Sequence, residues 1–202
     1  MAAAPVRSNL SLRGSSKVIS EFFEYAVNSI LFQRGIYPPE DFKVVRKYGI
    51  SMLVTVDEEV KTYIRKIILQ LHRWTCGGKI QKVALVITNK DSGEDLERWQ
   101  FNVEILQKDT TTVAEHAQDE SKIQKEVQAL IRQITATVTF LPQLEGRCTF
   151  NVLVYADRDS EVPTDWVDSD PRLIKNAEQV QLRSFSTSMH KIDCQVAYRF
   201  DP

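Results

Sequence analysis

The chain has 202 residues, 43% of them hydrophobic and 26% charged, with a formal net charge of −1. That length suits one largish domain with its own core, and that composition is ordinary for a globular protein. The near-zero charge argues against nucleic acid, which demands a surplus of Lys and Arg, and no run of about 18 apolar residues argues for a membrane.

Three cysteines, Cys76, Cys148 and Cys194, show no metal-ligand spacing. An odd number without a framework points to reduced thiols in the cytosol or nucleus, and the N-terminus has no apolar stretch of signal-peptide kind.

Ser15 or Ser16 can cap a helix over Lys17 to Arg34, closed by Gly35 and apolar around much of its circumference, as a central core helix would be. Short strands over Phe42 to Tyr48 and Ile50 to Val56 flank Gly49. A second helix starts near Asp57, with Val60, Ile64, Ile67, Leu71 and Trp74 at helical spacing, and "TCGGK" ends it. "KIQKVALVIT" and "LERWQFNVEI" flank "NKDSGED" as a hairpin whose Trp99, Phe101, Val103 and Ile105 face the core while the alternate residues face water. A polar loop fills 106–120.

Ser121 and Gln124 form a capping box before a third helix carrying Val127, Leu130, Ile131, Ile134 and Val138. Its end, "TATVTF", is β-branched, but helical spacing keeps it helical up to Pro142. A strand, "CTFNVLVYA", and an acidic loop, "DRDSEVPTDWVDSDP", follow. The last stretch, Gln179 to Phe200, alternates at both ends without Gly or Pro to turn it, so it reads as one extended segment weakly specified in its serine-rich middle. Three helices and at least four strands without βαβ alternation give an α+β fold, helices on one face of a mainly antiparallel sheet.

Catalytic and metal signatures are missing from the sequence. None of the seven glycines builds a phosphate loop, and the histidines His72, His116 and His190 lie far apart. "DRDSE" starts like a calcium loop, but Val162 stands where glycine is required. Glu97 and Arg183 read either as an ion pair between hairpin and tail or as two solvated charges.

The blocks "EFFEYAVNSILFQRGIYP", "GEDLERWQF", "LIRQITATVTFLPQLE", "VPTDW" and "LRSFSTSMHKIDCQVAY" together resemble the HORMA-domain family, in particular its spindle assembly checkpoint branch in fungi. The resemblance runs from about Leu12 to Phe200 and implies the HORMA fold over 15–202 behind a flexible arm, 1–14. It implies that 160–202 is a mobile "safety belt". In an open form the belt lies beside "CTFNVLVYA"; in a closed form it lies beside "ERWQF", and a partner peptide adds as a strand to the vacated edge.

Implied partners are the mitotic activator of the anaphase-promoting complex, the mitotic arrest deficient protein one, other checkpoint complex subunits, and an AAA-type remodelling ATPase with its adaptor. The implied role is a non-enzymatic adaptor without a cofactor, in nucleus, kinetochore and cytoplasm; a HORMA adaptor of translesion synthesis or the meiotic axis is the alternative. Trp74, Phe150, Val152, Val154, Val196 and Tyr198 would serve belt and peptide, and Glu97 with Arg183 would anchor the belt. Arg132, Gln133 and Phe140 would join open to closed copies, although Arg132 also reads as a plain solvated charge and Trp74 as plain core.

Overall fold

The structure, a computed structural model, describes residues 6–106 and 120–199. Helix α1, Val6–Gln33, is central: Ile19, Phe22, Phe23, Ala26, Ile30 and Leu31 are all buried. It begins earlier than its cap residues suggest, so the expected arm is helical from Val6, and Ser15 and Ser16 are buried inside the helix. Its end is the expected one. Gly35, at φ +61°, donates to Phe32 O, and Ile36 donates to Leu31 O, closing a Schellman motif.

Strands β1, Phe42–Lys47, and β2, Ile50–Thr55, form a separate hairpin. Its two turn residues, Tyr48 and Gly49, both have positive φ, as a type I′ turn requires. Helix α2, Glu58–Cys76, is capped by Asp57, whose carboxylate accepts from the N–H groups of Glu59 and Val60. Both α2 and α3, Glu120–Ala136, pack on α1. After Ala136 the chain tightens into a 3₁₀ turn, Thr137–Thr139. The tighter turn changes the phase, so Thr137 is buried and Val138, expected on the apolar face, is exposed. Ser121 lies inside the first turn of α3 rather than at its cap.

The main sheet has five strands in the order β5-β3-β4-β7-β6, every neighbour antiparallel. These are β3, Ile80–Asn89; β4, Asp95–Ile105; β5, Cys148–Ala156; β6, Ala177–Ser186; and β7, His190–Arg199. The outer side of β4 is not the wet face its alternation suggests. Arg98 and Gln100 are buried there, hydrogen-bonded in a row through Asn102. Most of the expected loop over 106–120, with His116, lies outside the described residues, as does Phe200.

The C-terminal stretch is not one extended segment. It folds back as the hairpin β6–β7, and the turn is made by side-chain hydroxyls rather than by Gly or Asn. Thr187 Oγ1 accepts from the N–H groups of Met189 and His190, while Thr187 N–H donates to His190 O at 2.8 Å. A bulge between Gln181 and Ser184 moves the buried positions from even to odd, so Phe185 and Thr187 face the core instead of Ser184 and Ser186.

Candidate functional site: an open sheet edge beneath a strap

Because β7 pairs with β4 along Glu97 to Ile105, the C-terminal hairpin lies at the sheet side that the resemblance associates with the closed form. The consequence is at the opposite side. Strand β5 pairs only with β3, so among the described residues its other edge has no strand neighbour. An edge of this kind presents N–H and C=O groups to any extended chain laid beside it. Tyr63 lines the same cavity as Val152 of this strand, and burial pushes its phenol pKa up.

The segment 157–176 leaves β5 and travels outside this edge before entering β6. At its start Asp157 N–H donates to Lys79 O, Gln81 donates to Asp157, and Lys79 pairs with Asp159 at 2.6 Å. The Trp74 indole then donates to Glu161 O at 3.1 Å, and its ring meets Trp166 edge-on at 5.0 Å between centroids. At the far end Arg98 donates to Pro171 O, and Arg172 pairs with Asp95.

Between those ends the strap stands off from β5 and leaves two cavities of about 440 Å³ each. One is walled by Tyr63, Ile67, Val152 and Trp166, with Lys66, Asp165 and Arg172 also on its lining. The other is bounded by Val154 and Tyr155 and carries three carboxylates, Asp157, Asp168 and Asp170, against one cation, Arg158. An extended segment with apolar side chains at one end and a cation at the other matches this division.

The expected site residues divide into three groups. Trp74, Val152 and Val154 line the cavities. Phe150 faces the core from the same strand, edge-on to Tyr63 and Tyr37. Val196 and Tyr198 do not meet the cavities: both are buried in β7, opposite Trp99 and Glu97, on the far side of the sheet. They hold the C-terminal hairpin beside β4.

The Glu97–Arg183 pair does not form. Arg183 is exposed, and its backbone N–H donates to Gln133. Glu97 is instead buried against Arg34, with Nη2 to Oε1 at 2.5 Å and Nε to both carboxylate oxygens, and it accepts from the Trp99 indole. Burial pushes the Glu97 carboxyl above its ordinary value against the pull of Arg34. Arg34 also donates to the Pro142 carbonyl, tying α1 to the chain after α3. A charge as the last side chain of a helix otherwise apolar on most sides was the available signal for it.

Arg132 is exposed on α3, Gln133 links α3 to β6, and Phe140, 45% exposed, tilts against Tyr198 at 6.5 Å. Arg132, Gln133 and Phe140 thus share the end of α3 where the C-terminal hairpin packs. A Cys–His neighbour pair, not signalled by the sequence, does occur: Cys76 Sγ lies 3.6 Å from His72 Nε2, one helical turn apart. Neither residue lines the cavities along β5.

Comparison with known proteins places this geometry. The HORMA domain pattern matches residues 15–190. The chain is 75% identical to the mitotic spindle checkpoint component mad2 of Schizosaccharomyces pombe, covering all of both chains. It is 47% identical to the human mitotic spindle assembly checkpoint protein MAD2A, over 94% of this chain and 93% of that one. Among solved structures it matches a chain of the mitotic checkpoint complex with 76% identity and a TM-score of 0.86, over 93% of this chain and 99% of that chain. The Caenorhabditis elegans protein HTP-1 bound to the HIM-3 closure motif, 14% identical with a TM-score of 0.73 over 92% of this chain and 90% of that one, shares the fold alone. On the domain match and these identities, the chain belongs to the HORMA domain family.

Proposed function

We propose that this chain is a spindle assembly checkpoint adaptor that entraps a short extended peptide between the β5 edge and the strap 157–176. The observation that carries the reading is the unpaired β5 edge with a strap anchored on both sides of it. Peptide backbone bonds to β5 supply affinity, and the cavities read alternate side chains. Relatives at 42–75% identity all bear a spindle checkpoint description, which favours this pathway over translesion synthesis or the meiotic axis.

The peptide comes from the mitotic activator of the anaphase-promoting complex or from the mitotic arrest deficient protein one. Entrapping the activator restrains the ubiquitin ligase and delays anaphase. An apolar cavity beside a carboxylate-rich one suits a segment both basic and apolar. The domain is 15–202 and the belt 160–202; the arm before Ser15 is where an AAA-type ATPase with its adaptor would pull to reopen the belt. Other checkpoint subunits are further partners, and the α3 end, with Arg132, Gln133 and Phe140, pairs open with closed copies. The work is done at the kinetochore, in the nucleus and in the cytoplasm, and it is conformational rather than covalent.

Calorimetric titration with a synthetic peptide from the activator, beside its scrambled sequence, tests the reading. Saturable binding of the native order alone is expected. Equal binding of both, or none, overturns it.

A further inference from the structure

We propose that Arg172 and Asp95 are the buckle that keeps the strap shut over the β5 edge, and that they set how long an entrapped peptide stays. This rests on the entrapment reading above. A strap fixed at two points releases what it covers by opening at one of them. Its first end, Asp157, follows β5 directly and has no slack, whereas four residues, 173–176, separate Arg172 from β6 and let the second end lift. Release therefore runs through the second end, at Pro171 and Arg172.

That end is built more firmly than the first. Arg172 grips Asp95 with two bonds, Nη2 to Oδ1 at 2.5 Å and Nε to Oδ2 at 3.1 Å, and Nη2 also reaches Thr88 Oγ1 at 3.0 Å. Thr88 donates to Asp95 Oδ1 at 2.7 Å, so the acceptor is itself held. One residue earlier, Pro171 O accepts from Arg98 Nε at 3.2 Å and from the Tyr155 hydroxyl. The Arg172 and Asp95 side chains are 21% and 18% exposed, whereas Lys79 and Asp159 at the first end are 36% and 72% exposed. A screened pair contributes little, while a two-point guanidinium–carboxylate pair sheltered from water fixes both position and orientation.

The backbone supports this assignment independently. Arg172 has φ +45°, a left-handed conformation that a residue other than Gly, Asn or Asp keeps only when its surroundings over-determine it. Here the over-determining contacts are those of its own guanidinium. The receiving site is rigid: Thr88 and Asp95 face each other across β3 and β4 at the head of the hairpin, next to a bulge.

The test follows dissociation of a fluorescein-labelled peptide from the mitotic activator, chased with unlabelled peptide, from the full chain. Arg172→Gly removes the guanidinium but suits the left-handed backbone; Asp95→Ala removes the acceptor. Each is expected to speed dissociation roughly tenfold or more while association changes much less. Reversing the pair, Arg172→Asp with Asp95→Arg, is expected to recover most of the residence time, because Asp also tolerates the left-handed backbone. Amide exchange across 157–176 without peptide is expected to rise in both single variants and fall again in the reversed pair, with an unchanged urea midpoint. Single variants that bind peptide and release it at the wild-type rate overturn the buckle and leave entrapment standing. Wild-type protein that binds no peptide overturns the entrapment reading and the buckle with it.

Discussion

His190 is the residue whose environment departs furthest from what its place in the sequence suggests. Fully buried at the β6–β7 turn, it joins a ring of hydroxyls: its Nδ1 lies 2.6 Å from Ser15 Oγ, which lies 2.5 Å from Thr187 Oγ1, which donates to His190 O. With Nδ1–H donating to Ser15, each hydroxyl donates once, and Nε2 is left buried without a partner. Protonating Nε2 would bury a charge, and burial accordingly holds the imidazole pKa below its ordinary 6.5. Below that value the unfolded chain binds a proton that the folded chain refuses. Stability present above pH 6.5 is therefore lost as the pH falls through the folded value, by at most about 1.4 kcal/mol per pH unit. Urea unfolding of wild type and His190→Gln between pH 7.5 and 5.5 checks this: the midpoint of the wild type should fall more steeply. Parallel profiles would remove His190 from the account. The Arg34–Glu97 pair is a buried ion pair, and its part is to fix where β4, α1 and the chain after α3 meet, since such pairs specify geometry more than they add stability.

At the scale of elements, most of the fold is legible because the signals are local. The α2 cap at Asp57, the Gly35 terminus of α1, the Tyr48-Gly49 turn and the β3–β4 hairpin are each written in a few adjacent residues. The C-terminal hairpin is not legible in this way. Its turn needs Ser15, 172 residues away, to complete the hydroxyl ring, and its bulge breaks the parity from which alternation would be read. The site divides likewise. Strand β5 and Trp74 stand out in sequence, but the partners of Glu97 and of the strap come from segments that only the folded chain brings together. Deleting the last ten residues removes β7 after Ile192, so the proposed belt loses its place beside β4. That truncation should lose peptide binding while α1, α2 and the β3–β4 hairpin persist in circular dichroism. Retained affinity would mean that the belt is not what holds the peptide.

At the scale of the whole molecule, two surfaces at opposite sides of one sheet share one element. The C-terminal hairpin fills the β4 side, which leaves β5 open, and it packs on the end of α3 where Arg132 and Phe140 are exposed. In the proposed reading, conformer pairing and peptide entrapment therefore both depend on where the hairpin lies, yet Arg132 touches neither cavity. Arg132→Ala should abolish self-association in sedimentation velocity and leave peptide affinity within about twofold, the ±0.5 kcal/mol expected of a surface substitution. Unchanged dimers would take Arg132 out of the interface. The central claim, that a peptide adds as a strand to β5, is tested most directly by amide hydrogen exchange over Cys148–Ala156 and His190–Arg199, with and without the activator peptide. The account predicts that alternate β5 amides gain protection when peptide is present, while β7 is protected in both states. Protection gained elsewhere with β5 unchanged would contradict it.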